Sequence, residues 1–136
     1  MANFKLSLLT PSGVFVSNLE CSEVYIPTYS GEINVLPEHT HVLSKLNTGV
    51  LTAKTSSGDR HFSVSSGICK VLKDEIHVLA YNAEKPEDID VERAKSALAK
   101  AESRLEGNDP ITDVELIKFQ RKLERAKTRL RLANLK

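Results

Sequence analysis

Tryptophan is absent from the sequence, methionine occurs once, and aromatic residues make up only 5% of the 136 positions. A hydrophobic core must therefore consist mainly of Val, Leu and Ile, which belong to the 40% of residues that are apolar. This length allows one ordinary domain, or one small domain with an appendage.

Long apolar runs are also missing. No stretch approaches the roughly 20 apolar residues that a membrane-spanning helix requires. The opening MANFKLSLLTPSG lacks the basic and then apolar segments of a signal peptide. We therefore expect a soluble protein without direct membrane insertion, in which any membrane association is indirect.

Cysteine is scarce. Cys21 and Cys69 are the two in the chain, and they lie far apart without the spacing of metal ligands. Because no secretion signal precedes them, we expect two buried free thiols in a reducing compartment rather than a disulfide.

Motifs of catalysis are absent as well: the sequence has no Gly-rich phosphate loop, nucleophile elbow or Cys-x-x-Cys. The stretch GEINVLPEHTHVL places His39 and His41 two positions apart, so on a strand both would face one side and could hold a metal ion. His61 and His77 are isolated, however, and provide no evident third ligand. A turn shaped by the proline is the favoured interpretation, with no catalytic or metal-binding residues; a metal-dependent enzyme is the weaker alternative.

Up to about residue 81, short apolar runs alternate with turn residues. The runs are FKLSLL (4–9), VFV (14–16), SEVYIP (22–27), EINVL (32–36), HVLSKL (41–46), GVLTAK (49–54), RHFSV (60–64), ICKVL (68–72) and EIHVLA (75–80). The turn segments between them include Pro11-Ser12-Gly13, Tyr29-Ser30-Gly31, Asn47-Thr48-Gly49, Ser56-Ser57-Gly58-Asp59, Ser65-Ser66-Gly67 and Lys73-Asp74. Short, closely spaced strands predict an antiparallel β-sandwich or barrel over residues 1–84.

After residue 86 the turn residues give way to the helix formers Ala, Leu, Glu, Lys and Arg. Apolar residues then recur at spacings of 3 and 4, first at Val91, Ala94, Leu98, Ala101 and Leu105, and later at Leu116, Phe119, Leu123, Ala126, Leu130 and Ala133. This pattern predicts an antiparallel helical hairpin over residues 85–136, with helices at about 88–106 and 111–134.

The segment Gly107-Asn108-Asp109-Pro110 separates the two predicted helices. We expect Gly107 to adopt the left-handed conformation that often follows a helix, and Thr112 to form a capping box with Glu115. Two such thin helices are only marginally stable alone. The hairpin should therefore dock on the β domain or on a partner, and could exchange between the two.

Basic charge is concentrated near the C-terminus, although the net charge is only +1. The basic residues there are Lys118, Arg121, Lys122, Arg125, Lys127, Arg129, Arg131 and Lys136, against the single acidic residue Glu124. A solvated helix face is the ordinary explanation. Because these cations repel one another, the pattern also favours an anionic partner: a nucleotide, an acidic protein surface or nucleic acid. No aromatic residue follows Phe119, so stacking on single-stranded bases is not expected.

The predicted first helix opens with Ile89-Asp90-Val91-Glu92-Arg93-Ala94. Acidic residues at this position favour a helix N-terminus through capping and the helix dipole. The residues alone indicate nothing beyond that role.

Several segments together resemble the epsilon subunit of the F-type ATP synthase, and the resemblance covers the whole chain. The family pattern is close to Gly-Glu-Leu/Ile-Gly-Val-Leu-Pro-Gly-His-x-Pro-Leu-Leu. The residues that fit it are Gly31, Glu32, Ile33, Val35, Leu36, Pro37, His39 and Leu43. LLTPSG (8–13), FSVSSGICKVL (62–72) and IHVLAYNAEKPEDIDVERA (76–94) fit as well. Asn34 and Glu38 depart from it where glycine is common, and His41 where proline is common.

The resemblance implies a non-catalytic subunit of the central stalk, peripheral to the cytoplasmic face of a bacterial membrane. Its β domain would bind the gamma subunit and rest on the c-subunit ring, with Gly31, Glu32 and His39 in or near that contact. The hairpin would either fold on the sandwich or extend along gamma. Extended, its basic second helix would meet acidic segments of the beta (and alpha) subunits and restrain ATP hydrolysis. The residues implied in that restraint are Lys118, Arg121, Lys122, Arg125 and Arg129.

The resemblance also implies ATP as a regulatory ligand of the folded hairpin, although no cofactor is required. Residues 89–94 match the family motif Ile/Leu-Asp-x-x-Arg-Ala. The implied ATP-binding residues are Glu84, Ile89, Asp90, Arg93, Ala94, Lys100, Arg125 and Arg129. Lys100 stands where strong binders have arginine and keeps the charge without the forked donors. The alternative function is a free-standing β-sandwich adaptor whose basic hairpin binds nucleic acid.

Overall fold

The computed structural model describes residues 3–36, 42–107 and 109–135. Within these ranges the chain forms eight β-strands followed by two α-helices. The strands are β1 (Phe4–Thr10), β2 (Gly13–Cys21), β3 (Glu23–Thr28), β4 (Gly31–Val35), β5 (Val42–Leu46), β6 (Gly49–Thr55), β7 (Gly58–Leu72) and β8 (Glu75–Glu84). A short 3-10 helix at Pro86–Asp88 precedes α1 (Val91–Glu106) and α2 (Asp113–Ala133). The predicted architecture, a β-sandwich followed by a helical hairpin, is confirmed.

The strands follow the order β2-β1-β8-β7-β5-β3-β4, and β6 pairs with both β3 and β7. All pairs are antiparallel except β1 with β8, which run parallel from Lys5 beside Glu75 to Leu9 beside Leu79. The first and last strands of the sandwich therefore lie side by side, and β1 is held between β2 and β8.

The sandwich core is built from alternating strand residues. On β1, Phe4, Leu6 and Leu8 are buried, and Lys5 points to solvent. The largest fully buried side chains are Phe4, Phe62, Leu6, Leu8, Ile26, Leu46, Leu51, Ile76, Leu132, Val24, Val64 and Val71. Aliphatic residues thus supply most of the core, as the composition requires.

Cys21 and Cys69 are both buried free thiols, as predicted. Burial disfavours the charged thiolate and raises the pKa of Cys21 to about 11, and it raises the pKa of Cys69 as well. Both side chains therefore act as small apolar core residues.

The long strand β7 contradicts one predicted turn. Ser65-Ser66-Gly67 do not reverse the chain but continue the strand, and at this point β7 changes its neighbour on one side from β6 to β5. Gly67 has φ +156°, and a Cβ there would overlap the carbonyl oxygen of Leu79 on β8. The glycine therefore allows close approach of strands rather than a turn.

The helix ends agree with the predicted caps in one case and differ in the other. The capping box of Thr112 and Glu115 is present, with each side chain bonded to the backbone N–H of the other residue. Gly107 is not left-handed: its φ is −69°, and the chain leaves α1 in an extended conformation that any residue can adopt. The connection between the helices is fixed by Arg104, whose Nη2 donates to Glu115 Oε2 at 3.1 Å.

The two helices meet along a seam of small residues, with Ala94, Ala101 and Ala126 buried between them. These three belong to the predicted apolar spacing. Leu132 does not, yet it is fully buried against Val50 of β6 and Ile89 of the linker. The spacing describes the face of α2 that meets α1, whereas Leu132 lies on the face that meets the sandwich.

The hairpin is folded onto the sandwich through the C-terminal part of α2, which lies against β6 and β7. Among the residues that the structure describes, no helix is long and apolar enough to cross a membrane.

Candidate functional site

A groove with a cavity volume of about 410 Å³ lies between the two helices. Arg93 and Lys100 line it from α1, and Lys122, Arg125 and Arg129 line it from α2 together with Phe119. None of its described lining residues is acidic. The volume falls within the roughly 300–1,000 Å³ of typical small-ligand sites. Five cations that line one groove without an acidic lining residue favour a multiply charged anion.

The helix geometry explains how these cations meet. Arg93 and Lys100 are two turns apart on α1, and Arg125 and Arg129 are one turn apart on α2, so each pair shares a face. The small residues of the seam allow the helices to approach closely, which brings the long cationic side chains of both helices to the same opening. Four of the predicted ATP-binding residues, Arg93, Lys100, Arg125 and Arg129, therefore line one groove.

Three other residues of that predicted set stabilise the start of α1 instead of lining the groove. Ile89 is buried with Val50 and Leu132. Asp90 is the N-cap of α1, and its Oδ1 accepts a hydrogen bond from the backbone N–H of Arg93 at 3.0 Å. Ala94 is buried in the helix seam. In this structure the motif sets where the first helix begins and how it meets the sandwich.

Glu84, at the end of β8, forms an ion pair with α2. Arg129 Nε donates to Glu84 Oε1 at 2.7 Å. A second, small cavity of about 20 Å³ lies beside this pair, with room for about one water molecule. Arg125 and Arg129 line both this cavity and the groove, so Glu84 stands next to the predicted ligand residues without lining the groove itself.

The other residues of the predicted inhibitory face surround Phe119 or point to solvent. The Nζ atoms of Lys118 and Lys122 lie 5.9 and 5.5 Å from the centre of the Phe119 ring, which permits cation–π attraction. Arg121 is exposed and does not line the groove. The five predicted cations are thus divided between the groove and the outer surface of α2.

Arg104 is a structural residue that the sequence interpretation missed. Its guanidinium bonds Glu115, lies 3.9 Å from Asp109 Oδ2 and sits 5.7 Å from the Phe119 ring. The hydrogen bond from Arg104, with further bonds from Thr112, lowers the pKa of the Glu115 carboxyl. The sequence did contain a signal for this contact. Arg104 is a basic residue in the last turn of α1, and Glu115 is the capping glutamate at the start of α2.

The predicted rotor-contact loop is only partly described. Gly31 opens β4 with φ +106° after a tight turn in which Thr28 Oγ1 donates to the Gly31 carbonyl at 2.6 Å. Glu32 follows and is exposed. Asn34 stays within β4, where its Nδ2 donates to Glu23 Oε1 at 3.1 Å, so it does not use a left-handed conformation. The turn presents the Glu32 carboxylate to solvent.

His39 and His41 lie outside the described residues, so the structure does not test their predicted contact or metal roles. Within the described ranges no group of three or more His, Cys, Asp or Glu side chains could hold a metal ion.

An exposed apolar row crosses four strands of the sandwich, and sequence reasoning did not predict it. Its members, which we call the outer apolar row, are register partners on β7, β8, β1 and β2, namely Ile68, Leu79, Leu9 and Val14. Val14 is 64% exposed, Leu79 48% and Ile68 40%. Contiguous exposed apolar residues of this kind mark interaction surfaces.

These observations define a class of protein: a β-sandwich with a folded C-terminal helical hairpin, a cationic groove between the helices and an apolar surface on the sandwich. Two family models match consecutive parts of the chain. The beta-sandwich domain of the ATP synthase Delta/Epsilon chain matches residues 3–86, and its long alpha-helix domain matches residues 87–134.

Named relatives of the chain come from the same family as the matching models. The ATP synthase epsilon chains of Staphylococcus aureus strains JH9 and Newman are each 39% identical to this chain over 136 residues, and the match covers 100% of both chains. The chain therefore belongs to the ATP synthase delta/epsilon family, as a bacterial-type epsilon subunit.

Solved structures show the same fold at lower identity. A chain of the Euglena gracilis mitochondrial ATP synthase (OSCP/F1/c-ring) matches with a TM-score of 0.84 at 22% identity, covering 100% of this chain and 83% of that chain. A chain of the Tetrahymena thermophila mitochondrial ATP synthase (central stalk/c-ring) matches with a TM-score of 0.57 at 18% identity, covering 97% and 94%.

Proposed function

We propose that the chain is a non-catalytic central-stalk subunit of an F-type ATP synthase, in which the folded hairpin senses ATP and the extended hairpin restrains ATP hydrolysis. The observation that carries the proposal is the cationic groove between α1 and α2 of the folded hairpin. Family membership and the placement of Arg125 and Arg129 in this groove favour a small polyanion over nucleic acid as their partner.

The regulatory step is a shift between two hairpin positions. A ligand that binds only the folded hairpin favours that position in proportion to its differential affinity for the two. The groove needs both helices, with Arg93 and Lys100 on α1 and Arg125 on α2, so it is lost if the helices separate. High ATP would then keep the hairpin folded, and low ATP would release α2 to meet acidic segments of the beta and alpha subunits.

The sandwich would anchor the subunit to the rotor. The outer apolar row suits a large, stable contact with the gamma subunit, because burying its exposed side chains there is favourable. The exposed carboxylate of Glu32 suits a contact with the polar loops of the c-subunit ring. The subunit would then lie peripherally at the cytoplasmic face of the bacterial membrane.

Calorimetric titration of the isolated chain with ATP tests the ligand. We expect Arg93→Ala and Arg125→Ala each to weaken binding by about tenfold or more, because a hydrogen bond to a charged group contributes roughly 1.5–3 kcal/mol. Arg131→Ala is the matched control: it removes an exposed arginine of α2 that does not line the groove. Absence of heat with the parent chain, or equal weakening by all three variants, would remove ATP as the ligand of this groove.

A further inference from the structure

Glu32 lies on the edge strand β4, between the positions where the backbone bonds β4 to β3. Within the described part of the sheet, β4 stands at the end of the strand order and pairs with β3. Glu32 faces Pro27 of β3, whose carbonyl accepts from the Asn47 N–H on the side away from β4. Facing residues of an antiparallel pair alternate between bonded and non-bonded positions, so the backbone groups of Glu32 and of Asn34 point away from β3. The ladder therefore holds Glu32 through its neighbours on either side.

Two side-chain contacts flank Glu32. At the turn before it, Thr28 Oγ1 donates to the Gly31 carbonyl at 2.6 Å. After it, Asn34 Nδ2 donates to Glu23 Oε1 of β3 at 3.1 Å. The side chains of Glu32 and Asn34 share a face of the strand, because they are two residues apart. The Asn34 bond thus links β4 to β3 at a position where the backbone groups point elsewhere.

The Glu23 carboxylate extends this link to a third strand. Its Oε1 also accepts from the Tyr25 hydroxyl at 3.4 Å, and its Oε2 lies 3.8 Å from Lys54 Nζ of β6. Lys54 is the register partner of Glu23, and its ammonium lies 5.7 Å from the centre of the Tyr25 ring. Asn34 stands where glycine is common in the family pattern, and glycine has no side chain to make the bond. Side chains therefore tie β4 through β3 to β6.

We propose that Asn34 and Glu23 are positioning residues, which hold the edge strand β4 so that the Glu32 carboxylate is fixed for contact with a cationic group of a partner. The inference rests on the proposed function, since it takes the polar loops of the c-subunit ring as that partner. A carboxylate that is already held in place loses less freedom on binding, so more of its attraction to a cation contributes to affinity. Asn34 and Glu23 act through Glu32 and do not touch the ring.

The test uses the complex of the full chain with the gamma subunit, and a purified c-subunit ring in detergent. Biolayer interferometry gives the affinity for the ring. Hydrogen exchange of the Ile33 and Val35 amides, which alternate with Glu32 and face β3, reports how firmly β4 is held. The variants are Asn34→Thr and Glu23→Met, each alone and combined with Glu32→Gln. Thr suits a strand and Met keeps the length of Glu, so both variants remove the bond and preserve the strand.

Thr52→Val is the matched control. Thr52 of β6 is the register partner of Tyr25, and its Oγ1 lies 2.8 Å from His61 Nδ1. The variant removes a side-chain hydrogen bond on the same face of the sheet, but between β6 and β7 instead of at β4. It should leave the ring affinity and the exchange of the two β4 amides unchanged.

We expect Asn34→Thr and Glu23→Met each to weaken ring affinity by about two- to fivefold, the range that a partly exposed charged contact supports. Exchange of the two β4 amides should become faster by a similar factor, and binding to gamma should not change. In the Glu32→Gln background neither variant should cause a further loss of ring affinity, because a positioning residue then has no carboxylate to position.

Unchanged affinity and exchange in Asn34→Thr and Glu23→Met would overturn the positioning role. Equal losses in the parent and Glu32→Gln backgrounds would overturn it too, because the link would then act on the ring independently of Glu32. If Glu32→Gln weakens ring binding and the other two variants do not, the positioning role fails and the ring contact stands. If Glu32→Gln binds the ring as the parent does, or if the parent complex does not bind it, the proposed ring contact fails and the positioning role fails with it.

Discussion

At the scale of single residues, Gly67 shows how one position joins three strands. It pairs with Leu46 of β5 on one side and with Ala80 of β8 on the other, at the point where β7 changes neighbours. Its missing side chain leaves space that the Leu79 carbonyl occupies. The position therefore requires glycine for two reasons, its φ of +156° and the closeness of β8.

We expect Gly67→Ala to lower the free energy of unfolding by about 3 kcal/mol, since overpacking and backbone strain each cost on the order of 1–3 kcal/mol. Gly58→Ala is the matched control, because Gly58 also has a positive φ, +116°, but nothing lies within 4 Å of its added Cβ. Backbone strain alone should make Gly58→Ala lower the free energy of unfolding by about 1 kcal/mol. Urea denaturation of the two variants measures both values, and equal losses would contradict the role of close packing at Gly67.

The individual site residues show which roles the sequence supports. The resemblance to the family implied Arg93, Lys100, Arg125 and Arg129 as ligand residues, and they line one groove because helical periodicity places them there. The sequence could not separate two roles for Asp90, because an acidic residue at a helix start commonly caps the helix whether or not it also binds a ligand. Its cap role is observed, and its role toward ATP stays a prediction.

At the scale of elements, the sequence-based prediction was wrong where pairing with distant strands decides the local structure. Ser65-Ser66-Gly67 has the composition of a turn, but the same small residues suit a strand that other strands approach closely. Only the neighbours β5, β6 and β8 distinguish the two, and they lie elsewhere in the chain. The capping box at Thr112 was predictable because all of its bonds are local.

Acidification tests the pairing of the two helices through Glu115. Its pKa is lowered chiefly by the hydrogen bond from Arg104, so its contribution to stability is present above the ordinary value of 4.5 and is lost as pH falls through the lowered value. We expect the parent hairpin to lose helix stability over this acidic range, and Glu115→Gln to lack that part of the decline. Thermal unfolding followed by circular dichroism at a series of pH values measures it.

Glu102→Gln serves as the control, because Glu102 is an exposed carboxylate of α1 without a described ion pair. A decline at acidic pH that is the same in Glu115→Gln and in the parent chain would show that Arg104 and Glu115 do not stabilise the helix pair.

At the scale of the whole molecule, the two parts are joined by a small contact. The sandwich has its own core of alternating strand residues, whereas the hairpin meets it through Leu132, the Glu84–Arg129 pair and the buried linker residues Pro86 and Ile89. The sandwich should fold alone, and the hairpin should leave it at modest cost.

Deletion of residues 88–136 tests this division. We expect a folded β domain that still binds the gamma subunit, in a complex that hydrolyses ATP severalfold faster because the restraining helix is gone. Copurification with gamma and steady-state hydrolysis assays measure the two effects. Leu79→Asp in the truncated chain is the contrasting variant: Leu79 is 48% exposed, so the domain should fold and lose gamma. Unchanged hydrolysis after deletion would contradict the restraining role.

The parallel pairing of β1 with β8 has a consequence for synthesis on the ribosome. The strand at Phe4–Thr10 emerges first, yet one of its two neighbours, Glu75–Glu84, is the last strand of the sandwich to be made. Such distant pairing slows folding, because the loop must close before the contact forms. The nascent sandwich therefore keeps an open edge at β1 until residues 75–79 have left the ribosome. The hairpin follows β8 directly in the chain, so its docking contacts with Val50 and Glu84 form on a sandwich whose strands have all been made.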